Sequence, residues 1–122
     1  MTIKRLFFAF IVLGFLSQPL QMWSQEEPED IALDTDEFQV FFYESLKQKG
    51  IENYDKAINA LQRCEALQPN NPVVYFELGK NYQAQKDYLP AYENYEKAVK
   101  LDANNRWYWA GMYDMAFAMR DY

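Results

Sequence analysis

Five residues with one set of spacings occur twice in this chain, and nothing else in it restricts the fold as strongly. Tyr54, Ala57, Leu61, Cys64 and Leu67 are separated by 3, 4, 3 and 3 positions, and Tyr88, Ala91, Tyr95, Ala98 and Leu101 repeat those separations at an offset of 34. Steps of three and four bring side chains to one face of an α-helix. A second copy at a fixed offset means that one supersecondary unit is used again. Between residues 53–71 and 87–105 five of nineteen positions are identical: Tyr54/Tyr88, Ala57/Ala91, Leu67/Leu101, Asn70/Asn104 and Asn71/Asn105. These are the positions that helix packing and turns constrain.

The helix between the two copies is bounded by its own residues. Asn71 is a good N-cap and Pro72 suits the first helical position, where a missing N–H costs no bond. Tyr75, Leu78, Gly79 and Tyr82 then share a face. A mid-helix glycine costs ~1 kcal/mol against alanine, so Gly79 predicts a close approach by a neighbouring helix. Pro90 falls in the first turn of the following helix, where it is tolerated.

Tyr75, Leu78-Gly79, Tyr82, Ala91, Tyr95 and Ala98 stand in the order of the tetratricopeptide signature within a 34-residue period. Residues 72–105 therefore resemble a full tetratricopeptide repeat, with Ala103 in place of the late proline that the preceding unit keeps as Pro69. The resemblance implies an all-α, tetratricopeptide-like solenoid of antiparallel helix pairs, about two and a half repeats long. The preceding unit, 38–71, agrees well in its second helix and poorly in its first. Phe41 falls opposite Tyr75 and Ser45 opposite Gly79, but Glu44 meets Leu78 and Gln48 meets Tyr82. Gly50-Ile51-Glu52 predicts a turn about two residues longer than usual, which leaves the register before it open. From residue 106 the pattern restarts, with Trp109 and Met112 in the places of Tyr75 and Leu78, Tyr113 where the small residue belongs, and Asp121-Tyr122 repeating Asp87-Tyr88. Trp107, Trp109, Met112, Met115, Phe117 and Met119 are expected to lack a partner helix of their own. The expectation is a front portion of a longer repeat protein, or a last helix packed on another chain.

The front of the chain reads differently. Lys4 and Arg5 precede eleven apolar residues, Leu6 to Leu16, and Ser17-Gln18-Pro19 follows. That is a signal-peptide layout, and the run is short of the ~20 residues that a permanent span needs. Residues 1–24 are read as a signal peptide cut after Ser24, with an uncleaved anchor as the alternative. Residues 25–37 are dense in acid and poor in apolar side chains, and read as a flexible acidic linker. Cleavage removes two basic residues and no acidic one, taking the formal charge from −6 to −8. Nucleic acid is excluded as an expected partner, since phosphate binding runs on surplus Lys and Arg. An anionic membrane surface would repel the folded part for the same reason.

The chain has no histidine, and beyond Ser24 it keeps one serine (Ser45), one threonine (Thr35) and one cysteine (Cys64). Ser-His and Cys-His nucleophiles and His-ligated zinc are thereby eliminated. No enzymatic activity, cofactor or metal is expected, and Cys64 reads as a small buried apolar residue.

What the resemblance implies about function is binding of a peptide or partner protein on a concave face lined by the first helices. On the family's pattern those positions are Phe42 and Leu46 in the first unit, Val73, Phe76, Lys80 and Gln83 in the second, and Trp107, Ala110 and Asp114 in the third. Lys80 alone does not make the set of basic residues with which some members clamp a chaperone's carboxylate. The expectation is thus an exported scaffold, periplasmic, envelope-bound or secreted by a bacterium. The alternatives are an accessory repeat region of a longer envelope enzyme or transporter subunit, or a membrane-tethered assembly factor if the signal stays on.

Overall fold

The computed structural model describes residues 28–120, with side-chain environments from residue 36. The signal-peptide reading, residues 1–24, and residues 25–27 of the leader lie outside the described residues. Among the described residues five helices follow one another: α1 (Pro28–Gly50), α2 (Tyr54–Leu67), α3 (Pro72–Ala84), α4 (Tyr88–Leu101) and α5 (Arg106–Arg120). Residues Asp34–Tyr122 form one compact unit. Within it consecutive helices pack on each other, α3 on α4 and α4 on α5 most extensively, and the described residues hold no strand. This is an all-α, tetratricopeptide-like solenoid of helix pairs. Among the described residues no helix is long and apolar enough to cross a membrane.

The repetition extends from residue types to individual bonds. Asn71 Oδ1 accepts from the Val73 amide at 3.1 Å, and Asn105 Oδ1 accepts from the Trp107 amide at 3.0 Å. The Tyr75 hydroxyl donates to the Pro69 carbonyl at 2.6 Å, while the Trp109 indole Nε1 donates to the Ala103 carbonyl at 2.8 Å. Both pairs are 34 residues apart. Each ring ties the start of a first helix to the loop before it, satisfying a loop carbonyl.

The turn after Gly50 corrects the expectation of a longer connection. α1 ends at Gly50 and α3 at Ala84, again 34 apart, and the two turns match bond for bond. The Asn53 amide donates to Gln48 O at 2.8 Å and the Asp87 amide to Tyr82 O at 2.9 Å; Glu52 and Lys86 donate to Lys49 O and Gln83 O at 3.0 and 2.9 Å. The residue that takes the left-handed conformation is Glu52 (φ 61°) in one turn and Lys86 (φ 60°) in the other. Gly50 is the last helical residue and needs no special backbone. Counting by 34 therefore holds through α1, and Ser45 is buried opposite Gly79, its Oγ turned onto the Phe42 carbonyl at 2.6 Å. α1 also begins at Pro28, inside the stretch read from composition as an unstructured leader. Pro28 at the first helical position, with Glu29 and Asp30 in the first turn, suits a helix start that composition alone does not show.

The core is continuous from α2 to α5. Ile58, Leu61, Cys64, Val74, Tyr75, Leu78, Ala98, Val99 and Tyr108 form its main cluster, and Phe38, Phe41 and Phe42 of α1 pack against it. Cys64 is fully buried, its thiol 3.8 Å from the Phe38 carbonyl, and burial pushes its pKa up to about 11. A second cluster, Ala91, Tyr95 and Met115, joins α4 to α5. Met115, Met112 and Trp109 pack against the preceding helices, because one side of α5 closes on α4. Trp107, Tyr113 and Phe117 on the other sides are 63, 62 and 68% exposed.

Candidate functional site

Tyr95 organises the surface on which the sequence placed a binding face. It enters from α4, is 2% exposed, and lies between two glycines on the flanking helices. A Cβ at Gly79 would sit 2.8 Å from the ring's Cδ1 and Cε1, and one at Gly111 would sit 2.7 Å from the same atoms. The close approach that Gly79 permits is therefore made by an aromatic ring, with α3 and α5 drawn in on its two sides. The Tyr95 hydroxyl reaches past the glycines and donates to Gln83 Oε1 at 2.6 Å.

Around this ring gather residues of two first helices. Phe76 packs at 5.7 Å from Tyr95 and 5.1 Å from Tyr108 of α5, so it bridges α3 and α5 as a half-buried side chain. The Lys80 ammonium stands 5.3 Å over the Phe76 ring and 3.8 Å from Glu77 Oε1. Burial raises the Tyr95 pKa above its ordinary value, and the charges of Glu77 and Asp114 raise it further. Phe76, Lys80 and Gln83 are thus brought together, with Asp114 of α5 near enough for its charge to act on the Tyr95 hydroxyl. Val73 and Trp107 are exposed at equivalent places in the first turns of α3 and α5, and Ala110 is exposed one turn beyond Trp107. Phe42 and Leu46 are half-buried on α1, where Phe42 stacks on Phe38 at 5.8 Å.

Sequence reasoning missed Lys49 and Glu77. The Lys49 ammonium meets Glu77 Oε2 at 2.8 Å, both partly buried, and links α1 to α3. The signal was present, since Lys49 is 34 residues before Gln83 and so holds the same place in the first unit.

Tyr75 and Tyr108 also have pKa values raised chiefly by burial. A tyrosine held neutral in the fold but free to ionise when unfolded stabilises fully below its ordinary pKa of 10 and stops doing so as pH rises beyond it. The urea midpoint is therefore expected to fall between pH 9 and 11, and to fall less in Tyr95→Phe; equal losses in the two proteins would exclude Tyr95 as a source.

Residues 72–105 match the tetratricopeptide repeat family. The chain carries a tetratricopeptide-like repeat. The matched segment runs from the first residue of α3 through α4 to the Asn105 cap of α5, and so contains Gly79, Tyr95 and the joint that leads into the next unit. No curated protein matches the chain. A tetratricopeptide repeat supports a protein-interaction scaffold, and such repeats are typically without catalysis of their own.

Proposed function

We propose that the chain is an exported scaffold that holds a peptide or partner protein across the first helices α1, α3 and α5. The observation that carries this reading is the convergence of Phe76, Lys80, Gln83 and Asp114 around one buried tyrosine, beside the exposed Val73 and Trp107. Such a surface offers apolar area with separated charges of both signs, which suits an extended peptide or an amphipathic helix. Large exposed aromatics commonly act as anchors in such contacts, as Trp107 does in this reading.

The test is recovery of partners from envelope extracts by the wild-type chain and by Trp107→Ala combined with Lys80→Ala. Neither residue is needed for the core, so the double variant is expected to keep its melting curve while losing captured partners by about tenfold or more, as loss of an aromatic anchor produces. Equal recovery of the same partners would sink the reading. Export rests on Lys4, Arg5 and the apolar run from Leu6 to Leu16. An intact mass of the mature species that lacks residues 1–24 is expected; a full-length mass in the membrane fraction would favour the tethered alternative.

A further inference from the structure

The charges on the binding face proposed above differ in what they have left to offer a partner. Both cations beside Phe76 are engaged by one carboxylate: Lys49 meets Glu77 Oε2 at 2.8 Å, and Lys80 meets Oε1 at 3.8 Å. Glu77 is buried, and each of its oxygens already has a cation. Lys80 also covers the Phe76 ring. Asp114 is the contrast. Its side chain is exposed, and among the described residues its carboxylate forms no ion pair and accepts no hydrogen bond. Its charge reaches the Tyr95 hydroxyl, which is bonded to Gln83, so it stands on the side of α5 that turns toward α3.

The neighbours of Asp114 along α5 give this open carboxylate its setting. Trp107, Ala110, Asp114 and Phe117 follow at steps of three, four and three and so share one face of the helix. Counting by 34 sets them opposite Val73, Phe76, Lys80 and Gln83 of α3. Trp107 and Phe117 are both about two-thirds exposed, and the only side chain of this face between Trp107 and Asp114 is the methyl group of Ala110. The Trp107 ring already carries one guanidinium, that of Arg106, at 5.2 Å.

We propose that the partner held on this face is a cationic segment with apolar flanks, one of whose arginines seats on Asp114 between Trp107 and Phe117. The inference rests on the first helices being the binding face. Arginine fits better than lysine, because a planar guanidinium can pair with both carboxylate oxygens while its face lies on an aromatic ring. An acidic segment fits worse. Glu77 and Asp114 repel it, and the lysines that could receive it would have to leave a buried carboxylate unpaired. Charge along the chain points the same way. Residues 38–120 hold ten basic and ten acidic side chains, whereas residues 26–37 hold seven carboxylates and no base. Such a stretch draws cations in at long range and speeds their encounter, so binding is expected to weaken as salt rises.

The probe is a displayed library of short random peptides, selected on the purified chain. Peptides whose binding is weakened by Trp107→Ala are taken as binders of this face, and they are expected to share an arginine beside aromatic or aliphatic residues. Synthesised with glutamine in place of that arginine, they are expected to bind the wild-type chain about tenfold more weakly. Against Asp114→Asn the arginine and glutamine forms are expected to bind alike, while the variant keeps the wild-type melting curve because the side chain stands in solvent. Asp114→Lys is expected to reverse the preference and take a glutamate form over the arginine form. Binders of this face that are acidic or neutral, or that do not respond to Asp114→Asn, would overturn the assignment of the partner and leave the binding face standing. A library that yields no peptide weakened by Trp107→Ala would overturn both.

Discussion

Gly79→Arg is expected to leave the protein unfolded, or nearly so, at room temperature. The first atom of any side chain at this position already lies 2.8 Å from the Tyr95 ring. That ring cannot retreat, because Gly111 closes on it at 2.7 Å from the other helix. Forcing added atoms into such a contact costs ~1–3 kcal/mol. A guanidinium held in the buried seam without a partner costs several more. Domains of this size have ~5–15 kcal/mol in total, so the sum takes most or all of it. Gly79→Ala separates the two causes. It introduces the same 2.8 Å contact without the charge, and gains ~1 kcal/mol in helix propensity, so a loss of at most ~2 kcal/mol is expected. Far-UV circular dichroism and urea midpoints read both variants. An arginine variant that melts like the wild type would mean that the helices around Gly79 do not meet as described.

Tyr95→Ala is the second large effect, and it examines the same seam from the other side. Removing a fully buried aromatic side chain costs ~3–5 kcal/mol. Tyr95→Phe keeps the ring and gives up only the bond to Gln83, a loss of ~1 kcal/mol. The informative comparison is the cross. With the ring gone, the space beside Gly79 is empty, so Gly79→Ala is expected to change from destabilising to neutral or stabilising. A coupling of ~1–3 kcal/mol in the double-mutant cycle follows. Strict additivity of the two substitutions would contradict the wedge between Gly79 and Gly111.

The parts of this fold that could be read in the amino-acid sequence are those in which one residue answers to one local requirement. Asn71 and Asn105 cap helices, Pro72 opens one, and Ala57, Ala91, Leu61 and Tyr95 repeat because second helices must present the same face to their neighbours. Two other features resisted for physical reasons. Gly111 follows Gly79 by 32 residues instead of 34, because it lies against the opposite side of the Tyr95 ring and so obeys the ring's geometry, not the period. The turns after α1 and α3 rest on Glu52 and Lys86 at positive φ, where glycine or asparagine is the usual sign. With that sign absent, and Gly50 close by, the eye is drawn to the wrong residue. The candidate surface was legible as repeat positions, but not its centre. Tyr95 belongs to a second helix, and only packing in three dimensions brings it among Phe76, Gln83 and Asp114.

The joints at Pro69–Val73 and Ala103–Trp107 are closed by bonds that span no more than six residues. These hydrogen bonds are local to each joint, so a whole module can be duplicated or removed at Asn71 and Asn105 with each seam re-forming from equivalent parts. Growth of such an array requires no new invention, only another copy, and selection can add modules while it reshapes the faces of single ones one at a time.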